Sequence, residues 1–547
     1  MNSHNEQARH HRFRRAVCLV VLAFGLGAVP SAGAAGKPGF FTSQPAMLTA
    51  TAAGGAVQPI ISVGDTLSSG YRFETIPDGI GILPNGKGTV DVFVNHETSL
   101  VPFPLATNIA NCTTTTCLSD FDNAQVSRLK LHQKSGGVLA GELAITSASN
   151  YQRFCSAFLA DDSVGFRRPI LFTNEEATDF VSLPPAQAWP ADPSNQRQAG
   201  LVVALDAKNG KTYEIPGMGR MNHENSIIVP GGWNKIVAVT GDDTFSAPAS
   251  QLYMYMANSD TDVLADKGML YAFRVTRTAT GPVNPADAFN GANDYGDIVV
   301  GDSWGGQFIP VPREIAVGDQ AGLENWSNAN NVFQFIRVED LDYDKNNPRI
   351  VYFADTGEPR ALANPATGRL RRGPSGTLGP YPNGRIFKME FNANAPTVVD
   401  SFSILVNADL GGYNNFGVIH NPDNVGASAN SLMITEDPGG HNNYSAGTPG
   451  APTAGVWRYD LASGGLSVAA AVDQSADPLA RLGSWEASGI IDASAIFGPG
   501  TWLVNVQAHS IFVETATRTI TVGGVTSGPV LFKREAGQML LLTVPGS

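Results

Sequence analysis

Short apolar, strand-like runs that stop at acidic residues recur at widely separated points of this chain, and that recurrence limits the folds open to it. VDVFVNHE ends at Asn95 to Glu97, RPILFTNEE at Glu175 and Glu176, and KIVAVTGDD at Asp242 and Asp243, while MNHENS carries Asn222 to Glu224. Carboxylates at distant strand ends converge only where the fold gathers those ends together. A toroidal β architecture does so.

Helical periodicity is scarce, whereas short β-rich runs bounded by Gly, Pro, Asn and Asp continue from residue 60 to the end. Some come in pairs that read as neighbouring strands of one blade, such as RIVYFAD with GRIFKMEF and SLMITED with GVWRYDL. The pattern predicts an all-β chain folded as a β-propeller, although its repeat is degenerate and shows no strict period. Residues 184–200, 279–297 and 358–383 are rich in Pro, Gly, Asn and Arg, and read as loop insertions within a single large domain. The expected boundaries are a signal peptide over 1–35, a mobile stretch over 36–56, and a propeller over 57–547 that closes its first blade with its last strands.

The signal peptide follows from a basic stretch, RHHRFRR, an apolar run from Ala16 to Val29, and the small residues Ala32-Gly33-Ala34. Arg14-Arg15 before the apolar run admits twin-arginine export, and an ordinary basic leader fits equally well. No later stretch reaches the roughly 18 to 20 apolar residues of a membrane span, so no transmembrane anchor is expected. A formal charge of −13 argues against nucleic acid as a partner. The expected product is an exported monomer, periplasmic or extracellular. Cys112 and Cys117 flank a polar loop that suits a small disulfide. Cys155 reads more readily as a buried small hydrophobe than as a metal thiolate.

Carboxylates, Asn amides and strand-end carbonyls match the oxygen ligands that a hard cation such as calcium takes. Glu97, Glu175, Glu176, Glu224, Asp242 and Asp243 supply them early in the chain. Glu339, Asp340, Asp423, Glu436, Asp437 and Glu486 follow later. His96 and His223 each precede a Glu, and so point to the other face of a strand, toward packing. The zinc-helix motif, Walker loops and dinucleotide fingerprints are all missing from the sequence.

One set of motifs runs in order along nearly the whole chain: NHE at 95–97, GRMNHE at 219–224, TGDD at 240–243, QFIRVED at 334–340, NGRIFKMEF at 383–391, ITEDPG at 434–439 and WEASGII with WLVNVQAH up to 509. It resembles the PhoX-type alkaline phosphatase family. That resemblance implies a six-bladed propeller whose mouth holds calcium and iron ions bridged to a substrate phosphate. It also implies metal carboxylates at Glu97, Glu176, Glu224, Glu339 and Glu486, extending to Asp243 and Asp437, with Asn95 and Arg337 facing the phosphate. One departure stands out: the family's T-C-E-E reads Thr173-Asn174-Glu175-Glu176 here. Asn is a poor substitute for a thiolate on iron, and Cys155, far upstream, is not assumed to replace it. The expected activity is metal-dependent hydrolysis of a small phosphate monoester. The rivals are a non-catalytic calcium-stabilised propeller that binds a ligand or partner, and a phytase-like or lactonase-like propeller hydrolase.

Overall fold

Strands such as Ile236–Asp242 and Ile350–Asp355 are buried along almost their whole length. Both of their faces must therefore be covered by other sheets, which explains the continuous apolar runs. The structure, a computed structural model, describes residues 38–102, 111–183, 185–186, 194–244, 250–413, 415–439, 450–522 and 524–547. The expected signal peptide lies outside them.

Six antiparallel blades follow one another along the chain, each beginning with its inner strand. These inner strands are Pro77–Gly86, Phe154–Ala160, His223–Ile228, Val338–Tyr343, Pro422–Ala427 and Glu486–Asp492, in blades one to six. Each packs against the inner strands of both neighbouring blades, and that of blade six against that of blade one, so the ring is closed. Apolar side chains fill every gap between blades. Phe93 and Val126 of blade one meet Leu171 and Val203 of blade two, for example, and Met433 and Val456 of blade five meet Trp502 and Val504 of blade six. The thickest layer joins blades three and four, where Phe335, Phe353, Phe387 and Phe402 stack or meet edge to face. Trp304–Pro310 bridges the outer strands of these two blades into one ten-stranded sheet.

Closure runs opposite to the expectation that the last strands complete the first blade. Here an N-terminal strand, Ala56–Ser62, completes the last blade by pairing with Val525–Thr543. The preceding stretch, expected to be mobile over 36–56, is also fastened where it is described. Leu48–Ala50 pairs with Leu466–Val472 in blade five, and Phe40 exchanges backbone hydrogen bonds with Val138. Edge strands carry little periodic signal of their own, so the sequence leaves this one looking loose. The insertion over 358–383 contains a small hairpin, Ala361–Ala363 with Leu370–Arg372.

The hairpin Thr501–Val522 with Val525–Thr543 extends beyond blade six, and Leu118–Asp120 pairs in parallel with its return strand. Cys112 and Cys117 are disulfide-bonded and pack against Val530 and Phe532 of that hairpin. Among the described residues no helix is long and apolar enough to cross a membrane.

Candidate metal centre

Each inner strand carries the same irregularity at the same place. In blade two, Phe154 pairs with Glu175 but Ala157 with Thr173, so one extra residue sits on the inner strand. The same slip occurs between Pro77 and Ile80, His223 and Ser226, Val338 and Leu341, Pro422 and Val425, and Ala487 and Ile490. A β-bulge of this kind bends a strand and re-aims its side chains. The first residues of the bulged pairs are Asp78, Cys155, Glu224, Glu339, Asp423 and Ser488.

These residues converge. Donor atoms of Asp78, Glu97 and Cys155, of Cys155, Glu176 and Glu224, and of Glu224, Glu339 and Asp423 lie within 4.8 Å of one another in each group. Cys155 and Glu224 are shared, so the three groups form one chain of pockets running from blade one to blade five. Ser488 closes the circle by donating its hydroxyl to Asp78 Oδ2 at 2.5 Å.

A second tier comes from the residue that follows the second strand of blades one to five: Glu97, Glu176, Asp243, Thr356 and Asp437. Each donates its backbone N–H to the carbonyl of the residue two before a bulge donor, namely Ile76, Arg153, Asn222, Arg337 and Asn421. Three of those acceptors take positive φ: Ile76 at 50°, Arg153 at 43° and Asn421 at 55°. A β-branched residue in that region is strained, and the repeated backbone lock holds the turn that swings each inner strand into the ring.

The electrostatics of the ring are those of crowded, buried acids. Burial, followed by neighbouring carboxylates, raises Glu97 to about 8. Glu176 lies well above the ordinary carboxylate range for the same reasons, with Asp243 the foremost neighbour, and so does Asp423, beside Glu339. Burial raises Asp78 to about 6 even though Ser488 donates to it. Glu224 is also held high, by burial and by the charge of Asp78. Asp78 Oδ1, Asn174 Oδ1 and Glu224 Oε2 are buried acceptors with no hydrogen-bond donor. Such atoms are costly unless something positive satisfies them. A ring of oxygen donors and one thiol, with orphaned acceptors facing cations' charge rather than donors, fits bound metal ions.

The structure separates the expected ligands. Glu97, Glu176, Glu224 and Glu339 lie in the ring. Asp243 sits beside it, gripping Arg337 through Nε at 2.7 Å and Nη2 at 2.6 Å. Arg337 also reaches Glu339 at 3.0 Å. Glu486 faces His509 at 3.5 Å and stands near Asp437, outside the three donor groups. His509 is held between Glu486 and Glu535; burial opposes its charge, and the two carboxylates outweigh burial to push it well above its ordinary value.

Glu175 and Asp242 are turned away. Glu175 accepts the backbone N–H groups of Gln152 and Leu201 and pairs with Arg197 at 2.9 Å. Asp355 and Glu436, at the same position in blades four and five, likewise accept from Ile336 and His420. Asp242 accepts from the backbone and hydroxyl of Thr244. Adjacent strand residues face opposite ways, so only one acid of each pair can look into the ring. His96 and His223 are buried and held near 4 by burial; they bond Ser127 and Thr240 respectively, as packing residues.

Asn95, expected to face a phosphate, does not offer it a donor. Its amide nitrogen donates to the carbonyls of Cys155 at 2.6 Å and Ser156 at 3.1 Å, tying blade one to the bulge of blade two. Asn174 Nδ2 and Asn505 Nδ2 reach the bulge carbonyls of Ser156 and Asp78 in the same manner. What remains of Asn95 is an acceptor oxygen, which repels a phosphate oxygen. Asn95→Ala should lower stability by about 1–3 kcal/mol by leaving these buried carbonyls unpaired. Equilibrium urea unfolding measures it; an unchanged midpoint would contradict the clamp.

Three ring members lie outside the ligands that the resemblance implies. Asp78 stands in a Pro-Asp-Gly stretch that looks like an ordinary turn. Asp423 was one acid among many. Cys155 follows no acid motif. Their common signal is a donor, then a small or polar residue, then the resumption of a strand: DGI, CSA, ENS, EDL, DNV and SGI.

A family model described as "Alkaline phosphatase PhoX" matches residues 172–508. A search of curated proteins finds no match. Among solved structures, Pseudomonas fluorescens PhoX in complex with vanadate, a transition state analogue, is similar with a TM-score of 0.57 and 16% identity, over 92% of this chain and 98% of that one. A protein of unknown function from Dyadobacter fermentans aligns with a TM-score of 0.38 and 9% identity, over 88% of this chain and 98% of that one. The matched region takes in blades three to five, most of blade two and the inner strand of blade six, and with them Glu176, Glu224, Glu339 and Asp423. This chain belongs to the alkaline phosphatase PhoX family.

Proposed function

We propose that the protein is an exported, metal-dependent phosphomonoesterase whose active site is the bulge-borne ring at the propeller mouth. The observation that carries this reading is the meeting of seven donors, Asp78, Glu97, Cys155, Glu176, Glu224, Glu339 and Asp423, in one chain of pockets. Arg337 stands beside them. Pseudomonas fluorescens PhoX has been solved with vanadate, and an oxyanion of phosphoryl size is what a cation-loaded ring flanked by a guanidinium would take.

Calcium is the leading cation, because the donors of the Glu224, Glu339 and Asp423 group are all oxygens. When bound, such ions would neutralise the acids and draw charge from the phosphoryl oxygens. The residues themselves have separable tasks in this picture. Asp243 fixes the plane of the Arg337 guanidinium, whose positive charge would offset charge that grows on the equatorial oxygens. Thr356 donates to Glu339 Oε1 at 2.5 Å and Ser156 to Glu224 Oε1 at 2.5 Å, which orients both carboxylates. His509, held between Glu486 and Glu535, lies on the blade-six side of the ring. The leader over residues 1–35 supports export, and amino-terminal sequencing of the secreted protein would test that boundary.

The deciding experiment follows hydrolysis of an aryl phosphate by the purified mature chain, with metal content determined on the same sample. Turnover should vanish after chelation and return when calcium is added back, alone or with a transition metal. Tightly bound calcium without turnover would instead make the ring a structural device of a binding propeller.

A further inference from the structure

Blade four carries an insertion that starts beside the ring, and the charges at its base have no part in the mechanism above. Thr356 donates to Glu339, and two residues further on Glu358 gathers two arginines. Arg360 Nε lies 3.3 Å from Glu358 Oε1, and Arg372 Nε lies 3.1 Å from Glu358 Oε2. Glu358 is 3% exposed, whereas the side chains of Arg360 and Arg372 are 27% and 36% exposed. A buried carboxylate thus holds two guanidinium groups that solvent still reaches.

The hairpin in this insertion fixes where those groups stand. Arg372 is the register partner of Ala361, so Arg360 and Arg372 share the end of the hairpin that joins the chain at Glu358. The Gly373 N–H closes that end by donating to the Arg360 carbonyl at 2.8 Å. Ala361 and Leu370 are buried in the apolar layer between blades three and four, and Arg369 donates to the Val332 carbonyl at 2.9 Å and to Gln334 Oε1 at 3.1 Å. An insertion anchored in this way presents its arginines before any ligand arrives, which lowers the entropy lost on binding.

Charge sets the kind of ligand. Asp243 faces Arg337 directly, but Glu358 is shared by two guanidinium groups, so positive charge is in excess here. Burial, with the charges of Arg360 and Arg337 added to it, outweighs Glu358 and holds Arg372 below the ordinary arginine range. A guanidinium that turns Nε to a carboxylate keeps Nη donors for an oxyanion. We infer that Arg360 and Arg372 form a second anion subsite beside Arg337, which selects phosphate monoesters whose leaving group carries another oxyanion, a carboxylate or a second phosphoryl group. This rests on reading the ring as a phosphatase centre.

Three esters built on one ring test it: phenyl phosphate, meta-carboxyphenyl phosphate and the meta-bisphosphate. In the metal-loaded native chain, KM for a charged ester should lie about 10- to 100-fold below that for phenyl phosphate, the range of a hydrogen bond to a charged group, with kcat similar. A lower KM for one of the two charged esters supports the subsite and names its oxyanion. Arg372→Gln keeps Arg360 on Glu358, and should reduce the preference about tenfold through KM. Added salt should erode the preference in the native chain, which needs no variant. Equal KM values for all three esters, or a preference unchanged in Arg372→Gln and by salt, would overturn the subsite and leave the phosphatase standing. No turnover of any ester would sink the phosphatase reading and the subsite with it.

Discussion

Glu224→Gln should empty more of the ring than the loss of any other single carboxylate. Glu224 belongs to two of the three donor groups, is completely buried, and offers Oε2 with no hydrogen-bond partner. Gln keeps the shape and the Ser156 contact but replaces one acceptor by an amide nitrogen that faces cations with the wrong sign. The expected result is loss of metal from both donor groups that Glu224 joins, against loss from one in Glu339→Gln. Activity should fall by about 10³ or more, since a lost metal removes charge stabilisation worth more than one hydrogen-bond donor. Stability should drop too: cations held at a thousandfold excess over their dissociation constant contribute about 4 kcal/mol. Elemental analysis and thermal melts on the two variants read these effects. Native metal content in Glu224→Gln would sink the shared-ligand geometry.

Arg337 carries the second large effect, and two causes must be told apart. Its guanidinium forms a fork with Asp243, which is completely buried, and also reaches Glu339. Arg337→Ala leaves Asp243 without its counter-charge, which costs about 3–5 kcal/mol. If the guanidinium also meets the substrate, kcat should fall by about 10²–10³ in the folded fraction. Arg337→Lys supplies a point charge without the fork, and should recover part of the stability but little of the rate. Pairing Arg337→Met with Asp243→Asn removes both charges. That double variant should regain most of the stability and none of the activity. A double variant that regains turnover would make Arg337 a purely structural residue.

Much of the architecture was legible because every blade is covered on both faces, which writes itself into runs such as IVAVTGD and IVYFAD. The acid that ends such a run was legible as well. Which acid of a pair looks inward was not, because Glu175 and Glu176 differ only by the alternation of a strand whose register depends on a partner far along the chain. The bulges were wholly hidden. A one-residue slip has no composition, and the insertions between blades spread the six bulges at uneven intervals, so DGI, CSA and SGI could not be lined up beforehand. Asn95 misled for a related reason: its motif neighbours the metal acids, but the carbonyls it serves belong to the next blade.

The pairing of Ala56–Ser62 with Val525–Thr543 sets an order of events in time. Blades one to five can form as the chain leaves the ribosome, yet blade six stays incomplete until its return strand has been made. Only then does Ser488 come against Asp78 and join the two ends of the donor circle. A nascent chain can thus display most of the acids while still lacking the finished ring. Completion of the donor circle is therefore an event that follows synthesis, and it marks the molecule as finished.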